Sequence, residues 1–373
     1  MTPLLPAPRR LLVRGVNWLG DAVMATPALA RLREALPNTH LTLLTPAKLA
    51  DLWQHHPAVD AVMVFPAERT LFQGAREVRA RNFDAGLVLP NSPRSALELW
   101  LARIPRRIGG AAPWRNALLT EVVAPRPGAT PMHKRSDREI RRLISAPPPT
   151  TWDPARGAAH QIHHYLRLVA ALGANPAPIA PRLGVAPAEL AAVRAKFDLP
   201  PVRSWLGLNP GAEYGPAKRW PSAQFAAVAR EVAAWPGWGV VLFGGAGDVP
   251  LAGEIESAVH RPGVEVRNLA GRTSLRELVT ALAVCRVVVT NDTGPMHLAA
   301  AVGAPVIALF GSTSPELTAP GLPGDPRHRV VQTQVPCAPC FRRVCPIDFR
   351  CLNRLGAEAV IPLIRTLAGT AAG

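Results

Sequence analysis

Short runs of Val, Ile and Leu alternate along this chain with longer stretches in which apolar residues recur every three or four positions. The first kind reads as buried strands and the second as amphipathic helices. In the first half, strands are expected at residues 11–14, 39–45, 59–65 and 83–89, and helices at 22–36 and 160–172. The second half repeats the pattern. Strands are expected at 205–208, 239–243, 287–290 and 306–310, and a helix opens at Ser222, a residue type suited to capping it. Strands separated by helices imply parallel sheets with right-handed crossovers. A proline-rich stretch at 176–187 suits a linker, which places a domain boundary near residue 180. The expected fold class is α/β, with two doubly wound Rossmann-like domains facing each other across a cleft.

Length and composition agree with two cores, since 373 residues exceed one typical core and 48% of them are hydrophobic. No run approaches the roughly 20 apolar residues of a membrane span, and the first ten residues contain no apolar signal core, so a cytoplasmic protein is expected. The net charge of +16 is uneven: residues 1–180 carry 23 Lys and Arg against 12 Asp and Glu, and residues 181–373 carry 19 against 14. Only four of the 42 basic residues are Lys, which points to codon bias for part of the excess but not for its position. A basic first half expects an anionic partner, either nucleic acid, acidic lipid or a phosphorylated substrate.

Several strands end in turns that can carry chemistry. The run Val287-Val288-Val289-Thr290-Asn291-Asp292-Thr293-Gly294-Pro295-Met296-His297 joins a buried strand to a Gly turn and an Ala-rich helix start. Unpaired N–H groups and the helix dipole then converge on one anion pocket. Asp292, Thr293 and His297 add side chains there, although an isolated His near apolar residues is usually core. The loop 210–221 holds Gly211, Gly215 and Lys218 and suits a diphosphate, or is a solvated basic loop anchored by Trp220. It is not a Walker loop. Gly244-Gly245-Ala246-Gly247-Asp248 fails the dinucleotide spacing because the third position beyond Gly247 is Pro250. Asp21, between the first strand and first helix, is either a general base or a helix cap. Arg94, Arg103, Arg106, Arg107 and Arg115, extended by Lys134, Arg135, Arg138, Arg141 and Arg142, form either an anion-docking face on the first domain or a solvated charge run. Four cysteines, Cys337, Cys340, Cys345 and Cys351, lie close enough in sequence to hold zinc or an iron–sulfur cluster, with irregular spacing. Cys285 stands apart and reads as core.

Taken in order, Gly20-Asp21, the loop from Pro210 to Pro221, and Asn291 to His297 resemble the bacterial lipopolysaccharide heptosyltransferases of glycosyltransferase family 9. Pro90-Asn91-Ser92 and Ser95-Ala96 resemble that group as well. The resemblance implies a GT-B fold, with residues 1–180 binding the acceptor and 181–373 the nucleotide sugar, and the C-terminal helix a candidate to pack back on the first domain. It implies inverting transfer of a heptose from ADP-heptose to the inner core of lipopolysaccharide, with a heptosyl-Kdo2-lipid A acceptor and no catalytic metal. On that resemblance Asp21 is the base and Lys218 neutralises the leaving diphosphate. Asn209, Gly211, Glu213, Gly244, Asp292, Thr293, Gly294 and His297 make up the donor site. Asn91, Ser92, Arg94, Arg103, Arg106 and Arg107 are assigned to the acceptor. No cofactor is required, a structural metal at the cysteines stays open, and the partners are ADP-heptose, an anionic lipopolysaccharide precursor and the cytoplasmic membrane face, without nucleic acid. Another heptose step or sugar donor on the same fold, or a basic nucleic-acid-binding protein, are the alternatives.

Overall fold

In the computed structural model, which describes residues 6–65, 68–126, 132–145 and 159–370, the apolar runs pair into two parallel sheets. The first comprises β1 (Arg10–Arg14), β2 (His40–Pro46), β3 (Ala61–Phe65), β4 (Ala85–Val88), β5 (Arg106–Gly110) and β6 (Glu121–Val123), in the order β3-β2-β1-β4-β5-β6. The second comprises β7 (Ser204–Asn209), β8 (Trp238–Leu242), β9 (Val266–Asn268), β10 (Val287–Asn291), β11 (Val306–Phe310) and β12 (His328–Gln332), in the order β12-β11-β10-β7-β8-β9. Numbered from its own first strand, each sheet has the same doubly wound order, so each has a switch point: β1 beside β4, and β7 beside β10. Ligands of such sheets bind outside the carboxyl ends of the strands at that point.

The chain divides into two compact units. One holds Met1–Ala129 and Ala158–Pro181, the other Thr130–Gly157 and Arg182–Gly373. The second unit thus begins near the expected linker but also takes a stretch from within the first half. The helix Asp137–Leu143 belongs there, with Ile140 in the core beneath β7 and β10 and the Arg135 guanidinium donating to the Pro336 carbonyl at 3.0 Å. Arg135, Arg138, Arg141 and Arg142 therefore do not extend a surface of the first domain. The C-terminal helix Ile361–Thr370 packs in its own unit, on the helix Ser222–Ala233 and on β10.

Where the structure departs from the pattern, the causes are local. The helix expected over 22–36 is two helices, Leu19–Met24 and Thr26–Ala35. Pro27 has no N–H for the carbonyl of Val23, and the Thr26 hydroxyl donates to it instead at 2.8 Å. Ser222 does not cap its helix; Pro221 takes that position, and the Ser222 hydroxyl donates to Glu254. Strands β5, β6, β9 and β12 escape the apolar pattern because three are edges, half covered, and β5 carries two arginines and two glycines.

Candidate active site

The candidate site on the second unit is built on the carboxyl ends of β7, β10 and β11, adjacent strands of one sheet. Asn291, last residue of β10 and fully buried, latches the loop that leaves β7. Its amide donates to the Pro210 carbonyl at 2.8 Å, and its carbonyl oxygen accepts from the Trp220 backbone N–H at 3.1 Å. Trp220 closes the loop. Its indole is 1% exposed, stacks edge-on against Phe225 and donates to the Leu355 carbonyl. Burying about 200 Å2 of indole stabilises by roughly 5 kcal/mol at ~25 cal/mol per Å2, so the loop is anchored rather than solvated.

That anchoring delivers Lys218 to Asp292. The ammonium lies 2.7 Å from Asp292 Oδ2 and 3.2 Å from the Asp292 carbonyl oxygen. Asp292 also accepts from the Thr313 hydroxyl at 2.6 Å and the Thr318 hydroxyl at 3.3 Å. Burial alone would raise this carboxyl, but the Lys218 charge and the hydrogen bonds from Lys218 and Thr313 outweigh it and hold the group below the usual carboxylate range. The result is a lysine fixed at the rim of the sheet. Thr293 then starts the helix Gly294–Ala301 without using its own side chain as a cap, and His297 in its first turns is 4% exposed and close enough to favour the Asp292 anion. A helix N-terminus beside a lysine is suited to phosphate oxygens.

The glycines have definite roles. A Cβ at Gly211 would lie 2.3 Å from an oxygen of Asp248, and one at Gly244 would lie 2.7 Å from the Asp248 Cβ. Asp248 is therefore seated between the ends of β7 and β8, where its carboxylate accepts from the Gly245 N–H. Asn209 is buried and points its amide at the Gly211 carbonyl, so it supports the loop from within. Glu213 is exposed. Thr313, Thr318 and Asp248 were not singled out from sequence; the turn Gly311-Ser312-Thr313-Ser314, ending a strand on the same rim, was the available signal.

On the first unit, Asp21 lies at the third position of the helix Leu19–Met24, whose cap position is Trp18, so it is not the cap. Its Oδ1 accepts from the Tyr165 hydroxyl at 2.9 Å. Burial and the Asp21 charge push the Tyr165 phenol well above its ordinary value. At the end of β1, buried Arg14 pairs with Glu98 at 3.1 Å and donates to Asn17. Across the switch point, Ser92 caps the helix Pro93–Leu101 by accepting from the Ser95 N–H, and Arg94 lies in its first turn. Asn91 Oδ1 stands 3.3 Å from where a Cβ of Gly110 would be.

The remaining arginines do not join them. Arg106 and Arg107 open β5 and Arg103 lies in the preceding turn, all at the amino edge of the sheet, away from Asp21 and Asn91. Arg106 is paired twice with Glu121, and Arg107 donates to the carbonyls of Ile104 and Leu118. These two charges stabilise an edge rather than await a ligand. Arg115 is fully buried and donates to the Pro90 carbonyl.

The cysteines gather around one small cavity also lined by Ile140, Ala217 and Ser312. Among the described residues, no group of three or more His, Cys, Asp or Glu is placed to hold a metal ion, so the metal left open by their number finds no support. Burial, together with the neighbouring thiols, pushes Cys351 up to about 12 and raises Cys337 and Cys340. The segment acts as a packed lobe. Among the described residues, no helix is long and apolar enough to cross a membrane.

Comparison with known proteins gives this geometry a family. The sequence profile of glycosyltransferase family 9 (heptosyltransferase) matches residues 125–349. Lipopolysaccharide heptosyltransferase 2 of Escherichia coli K12 is 32% identical over 329 residues, covering 83% of this chain and 85% of that protein. Lipooligosaccharide heptosyltransferase 2 of Haemophilus influenzae is 33% identical over 83% of this chain and 85% of its own. The solved structure of E. coli ADP-heptose lps heptosyltransferase II superposes with a TM-score of 0.76 and 28% identity, over 98% of this chain and 100% of that one. The two doubly wound sheets are those of a GT-B enzyme, and the chain belongs to glycosyltransferase family 9, the heptosyltransferases.

Proposed function

We propose that this protein transfers L-glycero-D-manno-heptose from ADP-heptose to the inner core of lipopolysaccharide, with inversion at the anomeric carbon. The observation that carries the reading is the fixed Lys218–Asp292–Thr313 group at the β7/β10 switch point, in a chain whose relatives are named for this transfer. In the proposed reaction, an acceptor hydroxyl loses its proton to Asp21 as its oxygen bonds to the anomeric carbon. The bond from that carbon to the diphosphate oxygen breaks, and ADP departs with the electron pair. Lys218 and the start of the helix Gly294–Ala301 neutralise the departing charge without a metal. Tyr165, donating to Asp21 Oδ1, holds the carboxylate in place.

The acceptor proposed is a heptosyl-Kdo2-lipid A, held on the first unit near Asn91, Ser92 and Arg94 at the carboxyl ends of β4 and β5. The enzyme would work in the cytoplasm, peripherally on the inner membrane. A transfer assay tests the reading: ADP-heptose against UDP- and GDP-sugars, with products identified by mass, using wild type and Asp21→Asn. Transfer from ADP-heptose that collapses in Asp21→Asn supports it. Full turnover by the variant, or preference for another nucleotide, rejects it. Product mass on acceptors with none or one heptose already in place separates the first heptose step from the second.

A further inference from the structure

Lys218 is held from a second side that the transfer reading does not use. Its ammonium lies 5.1 Å from the centroid of the Tyr214 ring, and the Arg343 guanidinium carbon lies 5.2 Å from the same ring. Both are within cation–π range. Arg343 Nε donates to the Tyr214 carbonyl at 2.8 Å, and the Arg343 carbonyl accepts from the Ala217 N–H at 3.0 Å. One exposed arginine therefore grips both ends of the tetrapeptide leading to Lys218. The grip needs a glycine between them. Gly215 has φ +147°, and a Cβ there would lie 2.6 Å from the Arg343 carbonyl oxygen.

Tyr214 connects further. Its hydroxyl donates to the Phe341 carbonyl at 2.8 Å, and the Phe341 N–H donates to the Ser312 carbonyl at 2.7 Å, next to Thr313. Thr313 bonds Asp292, and Asp292 bonds Lys218. The contacts close a ring: Lys218, Tyr214, Phe341, the 312–313 turn, Asp292 and Lys218 again. Each member is fixed from two sides, so the ammonium cannot swing without opening the ring.

We propose that Tyr214 and Arg343 are positioning residues that set Lys218 for the donor diphosphate, which makes donor binding depend on the cysteine-bearing lobe from which Arg343 and Phe341 come. The proposal rests on Lys218 facing the diphosphate. Phosphate oxygens need a cation at one place, and a lysine stem has four rotatable bonds to lose. The aromatic face and the Arg343 clamp remove that freedom before the donor arrives.

The test uses the full chain with ADP as probe in calorimetry and ADP-heptose in steady-state kinetics, comparing Tyr214→Leu, Tyr214→Phe, Arg343→Ala and Lys218→Ala. Loss of one cation–π contact corresponds to about a three- to thirty-fold change in affinity. Tyr214→Leu and Arg343→Ala should weaken ADP and raise the donor KM by that factor, with the acceptor KM unchanged. Tyr214→Phe, which keeps the ring, should recover most of the binding. Arg343 is exposed, so its variant keeps the fold; an unchanged melting midpoint checks this. If Tyr214→Leu and Arg343→Ala bind ADP like wild type while Lys218→Ala does not, the positioning role is wrong. If Lys218→Ala also binds ADP like wild type, the placement of Lys218 itself fails.

Discussion

Replacing Lys218 and Asp292 by alanine, singly and together, measures how strongly the ion pair at the β7/β10 rim is bound to itself. The two charges are 2.7 Å apart with side chains 15% and 4% exposed. At an effective dielectric of about 20, that separation corresponds to roughly 6 kcal/mol of attraction. Desolvation of both ions offsets several kcal/mol of it, which leaves a coupling of about 2–4 kcal/mol. Asp292→Ala should cost ~3 kcal/mol or more, because it strands the ammonium and removes the acceptor of the Thr313 and Thr318 hydroxyls. Lys218→Ala should cost ~3 kcal/mol by leaving a buried carboxylate without its ammonium partner. The double variant should lose less than the sum by the coupling. Urea unfolding followed by far-ultraviolet circular dichroism reads the stability, and ADP titration of the same four proteins reads the site. Costs that add to within ~0.5 kcal/mol would refute the reasoning, since contacting residues of this kind couple by more.

Other outcomes follow from the same geometry. Asp21→Asn should abolish most transfer and also lower the Tyr165 ionisation; with only two tyrosines in the chain, ultraviolet titration in a Tyr214→Phe background isolates Tyr165, and an unmoved transition would break the Asp21–Tyr165 pairing. Gly211→Ala should disturb Asp248, whose oxygen lies 2.3 Å from the new Cβ, and lower kcat/KM at least ten-fold as an order of magnitude; Gly253→Ala, where the new Cβ meets nothing within 4 Å, is the control. His328, held by burial at about 4, binds its proton later than an unfolded histidine does on acidification. Its contribution is full above pH ~6.5 and falls as pH drops toward 4, so His328→Gln should flatten the pH dependence of the melting midpoint across that window. Arg94→Ala should raise the acceptor KM, whereas Arg107→Ala should leave it unchanged and lower thermal stability, a contrast that acceptor titrations and melts decide together.

The alternation of apolar runs determined two parallel α/β units. Strands buried on both faces, such as β10 and β11, must be continuously apolar, and that is visible in a linear pattern. The edge strands β6, β9 and β12 were not visible, because half-buried positions tolerate Arg, His and Asn, whereas the apolar edge strand β3 was. The rim of the second sheet was legible for the same reason: polar and Gly residues directly after a buried strand have few places to go except the carboxyl edge. What tertiary structure decided was pairing. Nothing in the spacing of Lys218 and Asp292, 74 positions apart, sets them in contact; the order of β7 beside β10 does. The same holds for Asp21 with Tyr165, and for the loop around Arg343 against Tyr214. Arginines that look alike along the chain were separated only in three dimensions, Arg94 at a helix start on the carboxyl edge and Arg106 spent on Glu121 at the other. Hydrophobic burial is a property of each residue and can be read one position at a time. A charge acquires its role from its partner, and the fold selects the partner.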